Sequence, residues 1–319
     1  MTTEADASTR PAVACRCCGS VDVVLRGSKR GTFLNRNFDF WHCPACDYLF
    51  VEPFPGYGVY DEAYYSGKGA DPYVDYESEF RDYRATWRIL ELDDLWRLAS
   101  SHMEASFPPG DVSWLDFGCG AGGLIKYLRD RGTHEHQGRT WKIKASGHDV
   151  GSYAEKLSKE PGFTMRSHAE LAAMPAASFD IISLIEVVEH VEFPDPVFAL
   201  VARLLKPGGL LLVTTGNIAS AVARREGLGY GFILPEVHVG YFTPTALERI
   251  YSRHGLSPVL LRYDGAIRFK VITTLRDPMR QKLASLVLRI PLAVRLVDLL
   301  YGTSAMPCAT KPRQGSVAQ

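Results

Sequence analysis

The sequence predicts a doubly wound α/β fold, a seven-stranded and mostly parallel sheet, behind a small N-terminal module stapled by cysteines. Three observations carry this. From Asp111 onward, short apolar runs alternate with helical periodicity. A glycine-rich turn follows the first of those runs, and five of the seven cysteines fall between Cys15 and Cys46.

The 319 residues suffice for one large domain and a small one, and 46% hydrophobic residues allow a substantial core. The 36 basic and 36 acidic side chains balance, which argues against a partner bound by neutralising many phosphates. Nucleic acid is therefore not the expected partner. The first residues lack an apolar core after positive charge, so no secretory signal is read and the cytoplasm is the expected location. The stretch from Leu283 to Leu300 is broken by Arg289, Pro291, Arg295 and Asp298, which makes it a poor membrane span.

In chain order, residues 1–11 read as a disordered tail and 12–55 as the cysteine module. Residues 56–105 read as a Tyr-rich linker and helical lid, its apolar stripe running from Phe80 through Tyr83, Trp87 and Leu90. The large domain covers 106–312, and 313–319 forms a second disordered tail. Its strands are expected near 113–117, 145–149, 163–166, 181–185, 210–215, 259–263 and 304–310, with Thr133 to Thr140 as an insertion. Helices are expected near 122–131, 151–159, 196–205 and 244–254, and a helical insertion near 278–301 kinked at Pro291.

Cys15 and Cys18 form one C-x-x-C knuckle, and Cys43 and Cys46 a second. Four thiolates so spaced can surround one structural zinc ion, and ion binding would supply folding energy to a module too small for its own core. Cys17 leaves the register open, since it can replace either neighbour. Asp47 stands where a glycine often follows the second pair.

The run Trp114-Leu-Asp-Phe-Gly-Cys-Gly-Ala-Gly-Gly123 ends a strand and opens a helix. Gly118, Gly120 and Gly122 permit a tight turn and close approach of a ligand. Asp116 would repel a pyrophosphate but suits a cation, and S-adenosylmethionine carries a sulfonium and an ammonium with no phosphate. Asp149, at the next strand's end, can accept ribose hydroxyls.

With those residues in hand, the chain resembles the class I S-adenosylmethionine-dependent methyltransferases, and in particular a subgroup with an N-terminal zinc ribbon. Further segments fall in that family's order: Ser178 to His190, Leu205-Lys-Pro-Gly-Gly209, Thr214-Thr-Gly-Asn217 and His238 to Pro244. The resemblance implies that Asp116, Gly118, Cys119, Gly120 and Gly122 face the amino-acid end of the cofactor. Asp149 would meet the ribose, and Val150 and backbone at Ala169 the adenine; Ile185 and Glu186 would border the methionine. The Asp that many relatives place near Ala169 is missing, and Gly216 replaces a frequent proline.

Methyl transfer chiefly needs the acceptor held in line and water excluded, with a base where the acceptor is a hydroxyl or an acidic carbon. His238 is the leading base, or else an anchor for the following turn. Glu189 and His190 are further catalytic candidates, though a turn-stabilising pair fits them better. Tyr64 and Tyr65 either cover the cofactor or pack the ribbon onto the large domain. The stripe from Leu283 to Leu300, with arginines among its leucines, reads as core or cap packing, with dimer contact or peripheral membrane contact as alternatives. The expected acceptor is a small metabolite, sugar or natural-product intermediate. The competing readings are a zinc-ribbon RNA methyltransferase, an NAD-dependent dehydrogenase and a non-catalytic cofactor-binding protein.

Overall fold

The alternation of strands and helices is realised in a computed structural model, which describes residues 13–71, 75–275, 277–302 and 306–313. The tails expected at 1–11 and 313–319, apart from Arg313, lie outside the described residues, as does the start of the strand expected at 304–310. The cysteine module contributes β1 (Val24–Arg30), β2 (Asn37–Cys43) and β3 (Tyr48–Glu52), an antiparallel meander. Then come α1 (Glu62–Tyr65), α2 (Tyr76–Asp82) and α3 (Ile89–Ser106); Asp61 and Asp75 cap the first two through their carboxylates.

The large domain follows as β4 (Gly110–Phe117), α4 (Gly123–Arg131), β5 (Thr133–His136), β6 (Arg139–His148), α5 (Ser152–Ser158), α6 (His168–Ala173), β7 (Phe179–Ile185), α7 (Pro194–Leu204) and β8 (Leu205–Thr214). It continues through α8 (Ala221–Glu226), β9 (Gly240–Tyr241), α9 (Pro244–Arg253), β10 (Ser257–Val259), α10 (Asp264–Thr274), α11 (Pro278–Val287), α12 (Pro291–Tyr301) and β11 (Cys308–Thr310). The main sheet has seven strands in the order β10-β11-β8-β7-β4-β6-β5. β4 is parallel to β6 and β7, and β7 to β8, whereas β5 and β11 run antiparallel to their neighbours.

Period-two alternation along β4 builds both halves of the core. Trp114 turns to one face, against Leu92, Leu95 and Met103 of α3 and Leu124 of α4. Leu115 turns to the other, where Phe198 of α7 and Leu247 and Ile250 of α9 meet it. Each such side chain, fully buried, contributes about 1.5–3 kcal/mol.

Four expectations are corrected. The segment Phe163 to Arg166 is not a strand; it makes one isolated bridge, Gly147 to Met165, and the sheet's seventh strand is β5 instead. The insertion Thr133 to Thr140 is a β-hairpin turning at Gln137 and Gly138, both with positive φ. The helical stretch from 278 to 301 is two helices, because Pro291 starts a new one rather than bending the old. The strand expected at 259–263 also ends early, at Val259.

β3 pairs with β9, so the fourth strand of the cysteine module's sheet comes from the large domain, two residues past His238. Among the described residues no helix is long and apolar enough to cross a membrane.

Candidate active site

The four knuckle cysteines converge. Cys15 Sγ lies 3.6 Å from Cys46 Sγ, Cys18 Sγ lies 3.5 Å from Cys43 Sγ, and all four sulfurs fall within 4.8 Å of one another. A tetrahedral ion with bonds of about 2.3 Å spaces its sulfurs about 3.8 Å apart. None of the four is in a disulfide. Hydrogen bonding with Cys46, and then burial, raise the Cys15 thiol far above its ordinary range, so ionising this set calls for a cation. Cys17 is not one of the four; Arg253 donates to its carbonyl at 2.8 Å and to its sulfur at 3.5 Å.

Asp47 occupies a left-handed conformation, φ 60°, that a short polar side chain tolerates. Its carboxylate accepts from the Thr243 hydroxyl at 2.7 Å, and its other oxygen lies 2.9 Å from His42 Nε2. Thr243 also caps α9, accepting from Ala246 N at 3.0 Å. The aspartate thus ties the second knuckle to the helix that follows His238.

At the carboxyl ends of β4 and β6 the glycine turn rises with φ of 77°, 51° and 77° at Gly118, Gly120 and Gly122. Asp116 is buried beneath it, accepting from Ser183 Oγ at 2.7 Å, and Trp114 Nε1 in turn donates to Ser183 Oγ at 3.1 Å. Burial pushes the Asp116 carboxyl up to about 7, against the opposing pull of the Ser183 hydrogen bond and the Arg88 charge. Asp149 closes the turn, with one oxygen accepting from Gly120 N at 2.8 Å and the other from Gly151 N at 2.6 Å. Its carboxyl is raised mainly by burial. The Cys119 side chain is buried with Ile125 and Leu157.

Val150 is 89% exposed just beyond Asp149, and Ala169 sits exposed in the first turn of α6. Ile185 is buried at the end of β7, and Glu186 follows with φ 54°, its N–H donating to Thr214 O at 3.0 Å.

Aromatic rings roof this turn. A Cβ on Gly120 would stand 2.6 Å from the Tyr76 ring, and Tyr65 presses on Gly151; both pack with Tyr153. Tyr64 packs on Tyr65 and Tyr60. The lid tyrosines therefore rest on the large domain's loops.

A second cluster lies past the end of β7. Glu189, His190 and His238 each offer one ligand atom within 4.8 Å of the others, although 47 residues separate the two histidines. His190 Nδ1 meets Tyr60 Oη and Val237 O, both at 3.0 Å. Burial, and then the His238 charge, push its imidazole down to about 3, so it is neutral at physiological pH. The His238 ring lies between Phe232 and His190, with Nδ1 2.7 Å from Phe232 O. A carbonyl can only accept, so Nδ1 carries the proton and Nε2 is basic. Gly216 is explained here: a Cβ on it would stand 2.5 Å from the Phe232 ring.

Arg88, which sequence reasoning missed, pairs with the fully buried Glu91 beside the Phe269 ring; burial works against its charge, but Glu91, then Glu79, Tyr76 and Glu186, outweigh it and hold the guanidinium protonated.

Residues 84–261, more than half of the chain, match the family model described as a methyltransferase domain, and the chain belongs to that family. Curated relatives include a ubiquinone biosynthesis O-methyltransferase of Saccharophagus degradans, 28% identical over 44% of this chain and 61% of the relative. Another of that name, from Hahella chejuensis, is 34% identical over 45% of this chain and 56% of the relative. The chain thus spans a little over half the length of these relatives. Among solved structures, a methyltransferase from Haloferax volcanii in complex with its Trm112 activator aligns over 75% of this chain and 98% of its own, at 14% identity and TM-score 0.43.

Proposed function

We propose that this chain is an S-adenosylmethionine-dependent enzyme that methylates an oxygen or carbon of a small molecule, with zinc structuring its N-terminal module. The observation that carries this is the pair Asp116 and Asp149 bracketing a positive-φ glycine turn at the carboxyl ends of parallel strands. The turn's N–H groups and Asp116 would receive the amino-acid end of the cofactor, Asp149 the ribose, and Ile185 and Glu186 would flank the methionine chain. Arg88 is the cation best situated to balance the carboxylates around them. The cofactor supplies a carbon already activated for displacement; the chain's task is to orient an acceptor and exclude water.

His238 is the proposed base, since Phe232 O engages Nδ1 and leaves Nε2 as the ring nitrogen that can take up a proton. Glu189 and His190 form the wall it works against. A second reading is favoured by their convergence: a buried carboxylate and two imidazoles make a ligand set for a divalent cation, which would orient an acceptor oxygen. Cys15, Cys18, Cys43 and Cys46 would hold the zinc. The acceptor is a small metabolite, and the relatives' name makes a phenolic ring hydroxyl the first class to try.

The test is calorimetric titration with S-adenosylmethionine, its demethylated product and NAD in parallel. Saturable one-to-one binding of the first two supports the proposal. Binding of NAD alone sinks it in favour of a dehydrogenase. Cofactor binding with no turnover across phenols, sugars and RNA leaves a non-catalytic binding protein.

A further inference from the structure

The hairpin of α11 and α12 carries apolar side chains on two faces. Its inner face is seated: Leu288 and Val294 are buried with Ile267 and Ile272, and Ala284 and Val297 pack against them. Its outer face is not. Met279, Leu283 and Leu286 repeat at helical spacing along α11, and Leu292, Leu296 and Leu299 along α12. All six are open to solvent, from 56% at Leu286 to 79% at Met279. Scattered exposed leucines need no explanation; two consecutive helices that each expose a row of apolar side chains do.

Cations are interleaved with these rows. Arg280, Lys282, Arg289 and Arg295 are all exposed, against two acidic residues, Asp277 and Asp298, between 277 and 301. We propose that this hairpin docks on the surface of an anionic lipid bilayer, with its leucines in the interface and its arginines and lysine among the headgroup phosphates. The mixture of charge and leucine decides between occupants. In a two-fold dimer the patch would face itself and set one net-positive hairpin against another. A bilayer with anionic headgroups accepts both components at once, because arginine and lysine stems run along apolar surface while their heads stay at the phosphates. Neither helix is long enough to cross, so the hairpin lies on the surface.

Its attachment gives the docking a direction. α12 ends at Gly302, whose carbonyl accepts from Asn217 Nδ2 at 2.9 Å, and Asn217 follows β8 at the carboxyl ends of the strands, where Asp116 and Glu186 also lie. The proposal holds whether or not the chain transfers methyl groups.

The test is sedimentation of the full chain with vesicles of phosphatidylcholine alone and of phosphatidylcholine with about one-third phosphatidylglycerol. Binding is expected to the anionic vesicles, to weaken with salt, and to fall about ten-fold or more when Arg280, Lys282, Arg289 and Arg295 become Gln. The exposed set Leu283→Gln, Leu286→Gln, Leu296→Gln and Leu299→Gln should abolish it with the circular dichroism spectrum unchanged. Binding indifferent to lipid charge overturns the proposal. So does absence of vesicle binding, whether the chain is then monomeric or forms, by analytical ultracentrifugation, a dimer that the leucine set dissolves.

Discussion

Glu236 accepts the backbone N–H of Thr32 at 3.1 Å through one carboxylate oxygen, and the N–H of Leu34 through the other. Thr32 and Leu34 belong to the turn between β1 and β2, and Glu236 stands two residues before His238. Val51 N also donates to Val239 O at 3.1 Å, on the other side of that histidine. The cysteine module thus grips the His238 segment at two points.

Glu236→Ala removes an acceptor from two N–H groups, at about 1–3 kcal/mol for each one left buried and unsatisfied. The expected outcome is a lower Tm together with a fall in kcat, while affinity for S-adenosylmethionine stays within about two-fold of wild type. Turnover unchanged in a destabilised variant would mean that the module steadies the fold without holding His238.

Asp149 holds two backbone N–H groups at its own turn, so its loss should be felt locally. Asp149→Ala is expected to weaken S-adenosylmethionine binding by about ten-fold or more in calorimetry, from losing acceptors worth about 1.5–3 kcal/mol. Zinc content, measured by atomic emission, should remain that of wild type. Loss of both in parallel would show the thiolate cluster and the glycine turn to be one cooperative unit.

Asp116 makes a pH dependence with a definite sign. Its folded-state carboxyl is raised from 3.8 to about 7, so the folded chain holds this proton more tightly than the unfolded one. Its contribution to stability is full below about pH 4 and declines as pH rises through about 7. Without ligand, Asp116→Asn should therefore unfold at a higher temperature than wild type at pH 8, with the gap closing toward pH 5. Affinity for a cationic ligand should do the opposite, strengthening in wild type as pH rises from 6 to 8 and staying flat in Asp116→Asn. A flat wild-type profile would remove Asp116 from contact with the ligand's charge.

The parts of this molecule that were legible beforehand are those with short-range causes. The Trp114–Leu115 alternation, the knuckle spacing of Cys15, Cys18, Cys43 and Cys46, and the Thr243-Pro244 start of α9 each act within a few residues. What escaped has long-range causes or weak local ones. The pairing of Leu49 with Tyr241 joins segments nearly two hundred positions apart, and no local pattern announces it. α10 carries Gly265 and the β-branched run Val271 to Thr274, both poor for a helix, and forms because Ile267 and Ile272 find a core. Phe163 to Arg166 is short, and with one bridge to Gly147 it never becomes a strand. The same limit applies to the site. Glu189 and His190 stand in the sequence as catalytic candidates that a turn pair fits better, because His238, which turns them into a cluster, is remote in sequence.

That cluster supplies the sharpest test. His238→Ala is expected to lower kcat by about two to four powers of ten while leaving S-adenosylmethionine affinity nearly intact, whichever role His238 plays. The metal dependence separates the roles. If His238 is a base alone, wild-type turnover survives exhaustive treatment with a chelator too weak to strip the four thiolates, and Glu189→Gln costs little. If Glu189, His190 and His238 hold a cation, the same treatment abolishes turnover, added magnesium or manganese restores it, and Glu189→Gln is as damaging as His238→Ala. Full activity in His238→Ala would retire both roles and leave His238 as the anchor that its hydrogen bond to Phe232 O already makes it.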